Sequence, residues 1–162
     1  MPAILTEEHY KVSTTNDIVV LKLGSHTIKL FYQTALEIAA GMRMAAKMGM
    51  RYEGVRTQQW REILKNAQLK LPKIPRRNKV FRRSNEPSNI SAWSVDWDRQ
   101  LVVVKFDSLT ATLHYTDALY LHALLRGFAK VAKAWAGDEG RTRRTVAYLN
   151  DAEENDKFVY AA

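Results

Sequence analysis

Cysteine is absent from this chain of 162 residues. Its absence excludes disulfides, thiolate nucleophiles and every cysteine-ligated zinc site, and it suits a reducing compartment. Glycine is scarce at seven residues, and none of them builds a phosphate-cradling loop. Of four prolines, Pro72, Pro75 and Pro87 fall in one stretch. The histidines His9, His26, His114 and His122 never stand four apart, so no metal site and no cofactor is expected. Long apolar runs are missing as well. The most apolar stretch, 35–50, is broken by Glu37, Arg43 and Lys47, which excludes a membrane span. The opening MPAILTEEHY has neither a basic n-region nor an apolar h-region, so no signal peptide is expected. Apolar residues still make up 46%, enough for a core, and the expectation is one cytoplasmic domain over residues 1–162.

Positive charge, by contrast, is abundant: 25 basic residues face 17 acidic ones, for a net +8. Much of it is concentrated. Between residues 51 and 83 stand Arg51, Arg56, Arg61, Lys65, Lys70, Lys73, Arg76, Arg77, Lys79, Arg82 and Arg83, against only Glu53 and Glu62. Such a stripe points to a polyanionic partner. Residues 150–162 run the other way, with Asp151, Glu153, Glu154 and Asp156 against Lys157.

The chain also repeats itself. Residues 18–50 align without a gap on 101–133, and thirteen of 33 positions are identical, among them Lys22/Lys105, Ser25/Ser108, Thr27/Thr110, Tyr32/Tyr115 and Arg43/Arg126. Average composition would give roughly two. Upstream, Tyr10 and Val12 fall opposite Trp93 and Val95. Each copy reads as a β-rich run (18–23, 101–106), a two-residue turn (Gly24-Ser25, Asp107-Ser108) and a second β-rich run (26–32, 109–115). A helix follows, with Thr34 or Asp117 as N-cap and Thr34 with Glu37 as a capping box. Stretches 9–14 and 91–97 read as third strands, turning at Asn16-Asp17 and Asp98-Arg99.

The expected fold is therefore α+β: an internally duplicated βββα unit, forming an antiparallel sheet backed by two long helices. Repeat one covers about 9–69, with a short amphipathic helix over 56–69. A basic loop occupies 70–89, repeat two about 90–149, and an acidic tail 150–162. Alternation sends Val19, Leu21, Leu23, Ile28, Leu30 and Tyr32 to the core, with Val102, Val104, Phe106, Ala111, Leu113 and Tyr115. Lys22, Thr27, Lys29 and Phe31 then share the opposite face, as do Lys105, Thr110, Thr112 and His114. The first helix, with Met42, Met44, Met48 and Met50, is apolar nearly all round, which predicts burial against a second subunit and hence a homo-oligomer.

Two surfaces suit nucleic acid. One is the loop, where Lys70, Lys73, Arg76, Arg77, Lys79, Arg82 and Arg83 track phosphates and Trp93 and Trp97 offer rings for bases to stack on. The other is the sheet face, with Lys22, Lys29 and Lys105 for phosphate and Phe31 and His114 for stacking. The expected activity is non-enzymatic binding of single-stranded nucleic acid, DNA before RNA, with little sequence preference. Two alternatives stand beside it. Asp96 and Asp98 on one strand face could hold Mg²⁺ as in a nuclease, although a strand running into a turn explains them more simply. The methionine-rich helices could instead serve a host-targeting protein-interaction module.

Duplicated strand-and-helix units on a basic sheet resemble the Whirly and PC4-like single-stranded-DNA binders, which use four strands per unit. The size, basic middle, lack of cysteine and acidic tail are similar to the Drc-type single-stranded-DNA-binding RNA polymerase cofactors of lytic podoviruses. That resemblance implies a viral early protein in the host cytoplasm, assisting transcription by a phage RNA polymerase. The tail, with Phe158, Val159 and Tyr160 after its acids, resembles in composition the partner-recruiting tails of single-stranded-DNA-binding proteins, without their terminal Pro-Phe.

Overall fold

The computed structural model describes residues 4–15, 17–54, 57–71 and 90–150, with side chains described up to Ala134 in the last helix and from Gln59 in the second. Its element order is β1 (Ile4–Leu5), β2 (Tyr10–Thr15), β3 (Ile18–Leu23), β4 (His26–Phe31), α1 (Tyr32–Glu53), α2 (Thr57–Gln68), β5 (Trp93–Asp98), β6 (Leu101–Phe106), β7 (Leu109–His114) and α3 (Tyr115–Asn150). The class is α+β. β2, β3, β4 and the start of α1 recur as β5, β6, β7 and the start of α3, each 83 residues later. The two meanders also share a register, since Tyr10 faces Leu23 as Trp93 faces Phe106, and Ile18 faces Phe31 as Leu101 faces His114.

Turn chemistry explains the tight connections. Gly24 (φ +59°) and Asp107 (φ +53°) open the β3–β4 and β6–β7 turns in the left-handed region that two-residue hairpins require. Asp107 tolerates that geometry because its carboxylate accepts hydrogen bonds from the Ser91 and Ala92 amides, each at 2.9 Å through Oδ1. The β5–β6 turn lies at Arg99-Gln100, one residue later than expected, because Asp98 still pairs with Leu101.

Two expectations about the helices need correction. Both helices start two residues earlier than their expected caps, at Tyr32 and Tyr115, so these tyrosines are helical rather than the ends of strands. The α1 N-cap is Phe31, with no side-chain bond, and Thr34 is buried inside the first turn rather than capping it. Asp117 likewise sits inside the first turn of α3, where it accepts a hydrogen bond from Tyr10 Oη at 2.9 Å.

The strands form two sheets, not one. β2–β3–β4 is wholly antiparallel, while the second sheet has the order β1-β7-β6-β5, with β1 parallel to β7. The helices are exchanged between them: α1 packs chiefly on β5 and β6, α3 on β2 and β3, and the two helices pack on each other. Apolar breadth drives this arrangement. α1 buries Thr34, Ala35, Ile38, Ala39, Met42, Ala45, Ala46, Gly49 and Met50, more than the single stripe that one sheet face would cover. The cover expected from a second subunit thus comes largely from the other half of the same chain. Only Met44, at 66% exposure, stands well out among the methionines of α1.

The two units meet in one hydrophobic cluster. Val19, Leu21, Leu30, Val102, Val104 and Leu113 point into it with almost no exposed surface, as alternation predicts. His122 Nδ1–H donates to the Ala39 carbonyl at 2.7 Å, and these two residues occupy matched places in the two copies. The helices therefore touch at matched positions of the two copies. No helix among the described residues is long and apolar enough to cross a membrane.

Candidate nucleic-acid interface

Residues directly opposite in an antiparallel ladder project to the same face, so register assigns the surface turned away from the helices. On β2–β3–β4 that outer face has three rows: Lys11, Lys22 and Thr27; Ser13, Val20 and Lys29; Thr15, Ile18 and Phe31. Lys11, Lys22 and Thr27 are exposed, Lys29 and Phe31 are half-buried, and Ile18 between Thr15 and Phe31 is buried, so the open part of the face is its Lys11–Lys22–Thr27 end. None of the nine is acidic. On β5–β6–β7 the matching rows are Ser94, Lys105 and Thr110; Asp96, Val103 and Thr112; Asp98, Leu101 and His114. This second face carries two exposed carboxylates against one exposed lysine.

The matched residues Lys22 and Lys105 both lie on outer faces, as expected, but in opposite electrostatic surroundings. Phe31 and His114 also correspond in register, and they differ in their partners. His114 Nε2 is 3.5 Å from a Glu53 carboxylate oxygen, and its Nδ1 is 2.9 Å from Thr116 Oγ1. The Tyr115 hydroxyl donates to the same Glu53 at 2.7 Å, and burial together with that bond pushes Tyr115 up to about 12. His114 is thus engaged by a carboxylate rather than standing open as a stacking ring.

The tryptophans of β5 share the helix-facing side of their strand. Trp93, Val95 and Trp97 pair with Phe106, Val104 and Val102, so they point toward the helices, not to the lysine side. Trp93 is half-buried against α1, where a Cβ placed on Gly41 would lie 3.7 Å from its ring and 3.3 Å from Val95. The reason is the exchange of helices, which brings α1 across β5. Trp97, 45% exposed near the strand end, shares the helix-facing side of β5 but keeps an accessible ring. Lys70, the first cation of the loop, is 3.2 Å from Glu7, and that hydrogen bond raises its pKa. Both side chains are largely exposed, so the pair adds little stability. Lys73, Arg76, Arg77, Lys79, Arg82 and Arg83 lie outside the described residues, as does the tail after Asn150.

Sequence reasoning missed Lys11. Its signal was present in the alternation of Tyr10 and Val12, which puts the residue between them on the outer face. Asp96 is occupied locally, accepting from the Trp97 amide at 2.8 Å through Oδ1. Among the described residues, no three histidines or carboxylates gather as a metal site. The chain matches no known protein family, no curated protein and no solved structure.

Proposed function

We propose that this chain binds single-stranded nucleic acid, DNA in preference to RNA, with little sequence preference and without catalysis, as a cofactor in transcription or replication. The observation that carries this reading is the outer face of β2–β3–β4, whose nine strand residues include Lys11, Lys22, Lys29 and Phe31 and no acid. A sheet face normally balances its charges or packs a second layer; three lysines, threonines and a ring instead suit phosphates and a stacked base. The seven cations of residues 70–83 extend the same charge along the chain. For the exposed Met44 and Tyr52 on α1, the proposed partner is a second copy of the chain, and light scattering that finds only a monomer at high concentration would remove it.

The test is a fluorescence anisotropy titration with single- and double-stranded oligonucleotides of matched sequence across a salt series. Single strands should bind more tightly than duplex, with log affinity falling linearly in log salt at about −0.7 per phosphate contact. Replacing Arg76, Arg77, Arg82 and Arg83 by alanine should flatten that slope by about two to three. Equal affinity for duplex, or no binding of either at low salt, would refute the proposal.

A further inference from the structure

We infer that nucleic acid occupies only one of the two sheets: the outer face of β2–β3–β4, where Lys11 and Lys22 together hold one stretch of phosphate backbone. The inference rests on the nucleic-acid reading above. Lys11 and Lys22 are directly opposed on neighbouring strands, both exposed, and none of the nine strand residues of their face is a carboxylate. Like charges so placed, with Cβ atoms about 4.5–5.5 Å apart, repel and weaken the ladder unless an anion sits between them. A phosphodiester is such an anion, and two ammonium groups at that spacing can flank it. Ser13, Thr15 and Thr27 beside them supply neutral hydroxyls, and Phe31 closes the face at the α1 end.

The contrast lies between β2 and β5, since Val20, Lys22 and Thr27 on the outer face recur unchanged as Val103, Lys105 and Thr110. Facing the helices, Tyr10 and Val12 are matched by Trp93 and Val95, all needed by the shared core. On the outer side, Lys11, Ser13 and Thr15 are matched by Ser94, Asp96 and Asp98. One cation is gone and two carboxylates have arrived on a single strand, beside the Glu53 carboxylate that holds His114 where the other sheet has Phe31. A backbone carrying one negative charge per phosphate is repelled from such a face. Core packing explains why the inner positions agree. It places little demand on the outer positions of β2 and β5, so the change from Lys11, Ser13 and Thr15 to Ser94, Asp96 and Asp98 marks a division of labour between the sheets.

The experiment uses the full chain and a short fluorescein-labelled oligothymidylate. Lys11→Ala with Lys22→Ala should flatten the salt slope by about 1.4 and weaken binding about 25-fold near 0.1 M salt, the effect of two lost phosphate contacts. Lys105→Ala should leave affinity within about twofold of wild type, having removed no contact. A second, independent arm copies the outer face of β2 onto β5 by Ser94→Lys, Asp96→Ser and Asp98→Thr. All three positions are exposed, and this variant should raise the stoichiometry from one strand per chain to two. A Lys105→Ala loss as large as that of the lysine pair would overturn the inference, as would a grafted protein that still binds one strand. If the lysine-pair variant binds like wild type while the four-arginine variant weakens, this inference fails and the nucleic-acid reading survives. If wild type binds no oligothymidylate even at low salt, both fall.

Discussion

His122 lies between α3 and α1 with 4% of its surface exposed, and its Nδ1–H is committed to the Ala39 carbonyl. Desolvation, aided by the Arg43 and Arg126 charges at matched positions on the two helices, lowers its pKa from 6.5 to about 4, against the smaller raising effect of the Ala39 bond. In the unfolded chain the same imidazole titrates near its ordinary value. Between those limits the unfolded state binds a proton that the folded state refuses, so stability falls as pH falls. The loss begins below about pH 6.5 and is complete near pH 4. At about 1.4 kcal/mol per pH unit it amounts to about 2 kcal/mol at pH 5 and about 3 kcal/mol at pH 4. Urea unfolding at a series of pH values, wild type beside His122→Gln, isolates this residue from the carboxylates that titrate in both. The glutamine keeps a donor for Ala39 and cannot be protonated in this range. Wild type should lose about 2 kcal/mol more than the variant between pH 7 and pH 5. Parallel stability curves for the two proteins would refute the reasoning and show that His122 binds its proton equally well in the folded and unfolded chain.

Other consequences follow from the same packing. Trp93→Ala should lower stability by about 2 kcal/mol or more, through the space left against Gly41 of α1, while oligonucleotide affinity below the melting point stays near wild type; a stable variant with weakened binding would return Trp93 to the interface. Tyr10→Phe removes the hydroxyl that donates to Asp117 across the two units and should cost about 1.5 kcal/mol in urea unfolding, and no change would mean that water replaces the bond without loss. Deleting residues 151–162 removes four acids and one lysine from a strongly basic chain. It should tighten single-strand binding at low salt and have little effect at high salt, and unchanged affinity at low ionic strength would count against it.

Local rules carried much of the fold. Alternation placed Val19, Leu21, Leu23, Ile28 and Leu30 in the core, because side chains two residues apart must share a face whatever the sheet packs against. The Gly24 and Asp107 turns were legible because few residues accept a positive φ in a two-residue hairpin. The same alternation, followed along β5, puts Trp93 with Val95 on the buried side, where their match to Tyr10 and Val12 also places them. The helix starts resisted prediction for a different reason. A threonine followed three residues later by glutamate has the pattern of a capping box, but tertiary burial claimed Thr34 and let the helix begin at Tyr32.

What the amino-acid order determined by itself was each unit: three strands, their faces, their turns and a long apolar helix, all set by interactions between near neighbours. What only the tertiary structure decided was how the units combine. Two sheets with exchanged helices bury the apolar breadth of α1, and that choice depends on which distant surfaces fit each other, about which local periodicity carries no information. The candidate site divides along the same line. Lys22 and Lys105 are indistinguishable as residues in matched positions. The strand paired beside each separates them, with Lys11 opposite Lys22 in one case and Ser94 opposite Lys105, on a strand with Asp96 and Asp98, in the other.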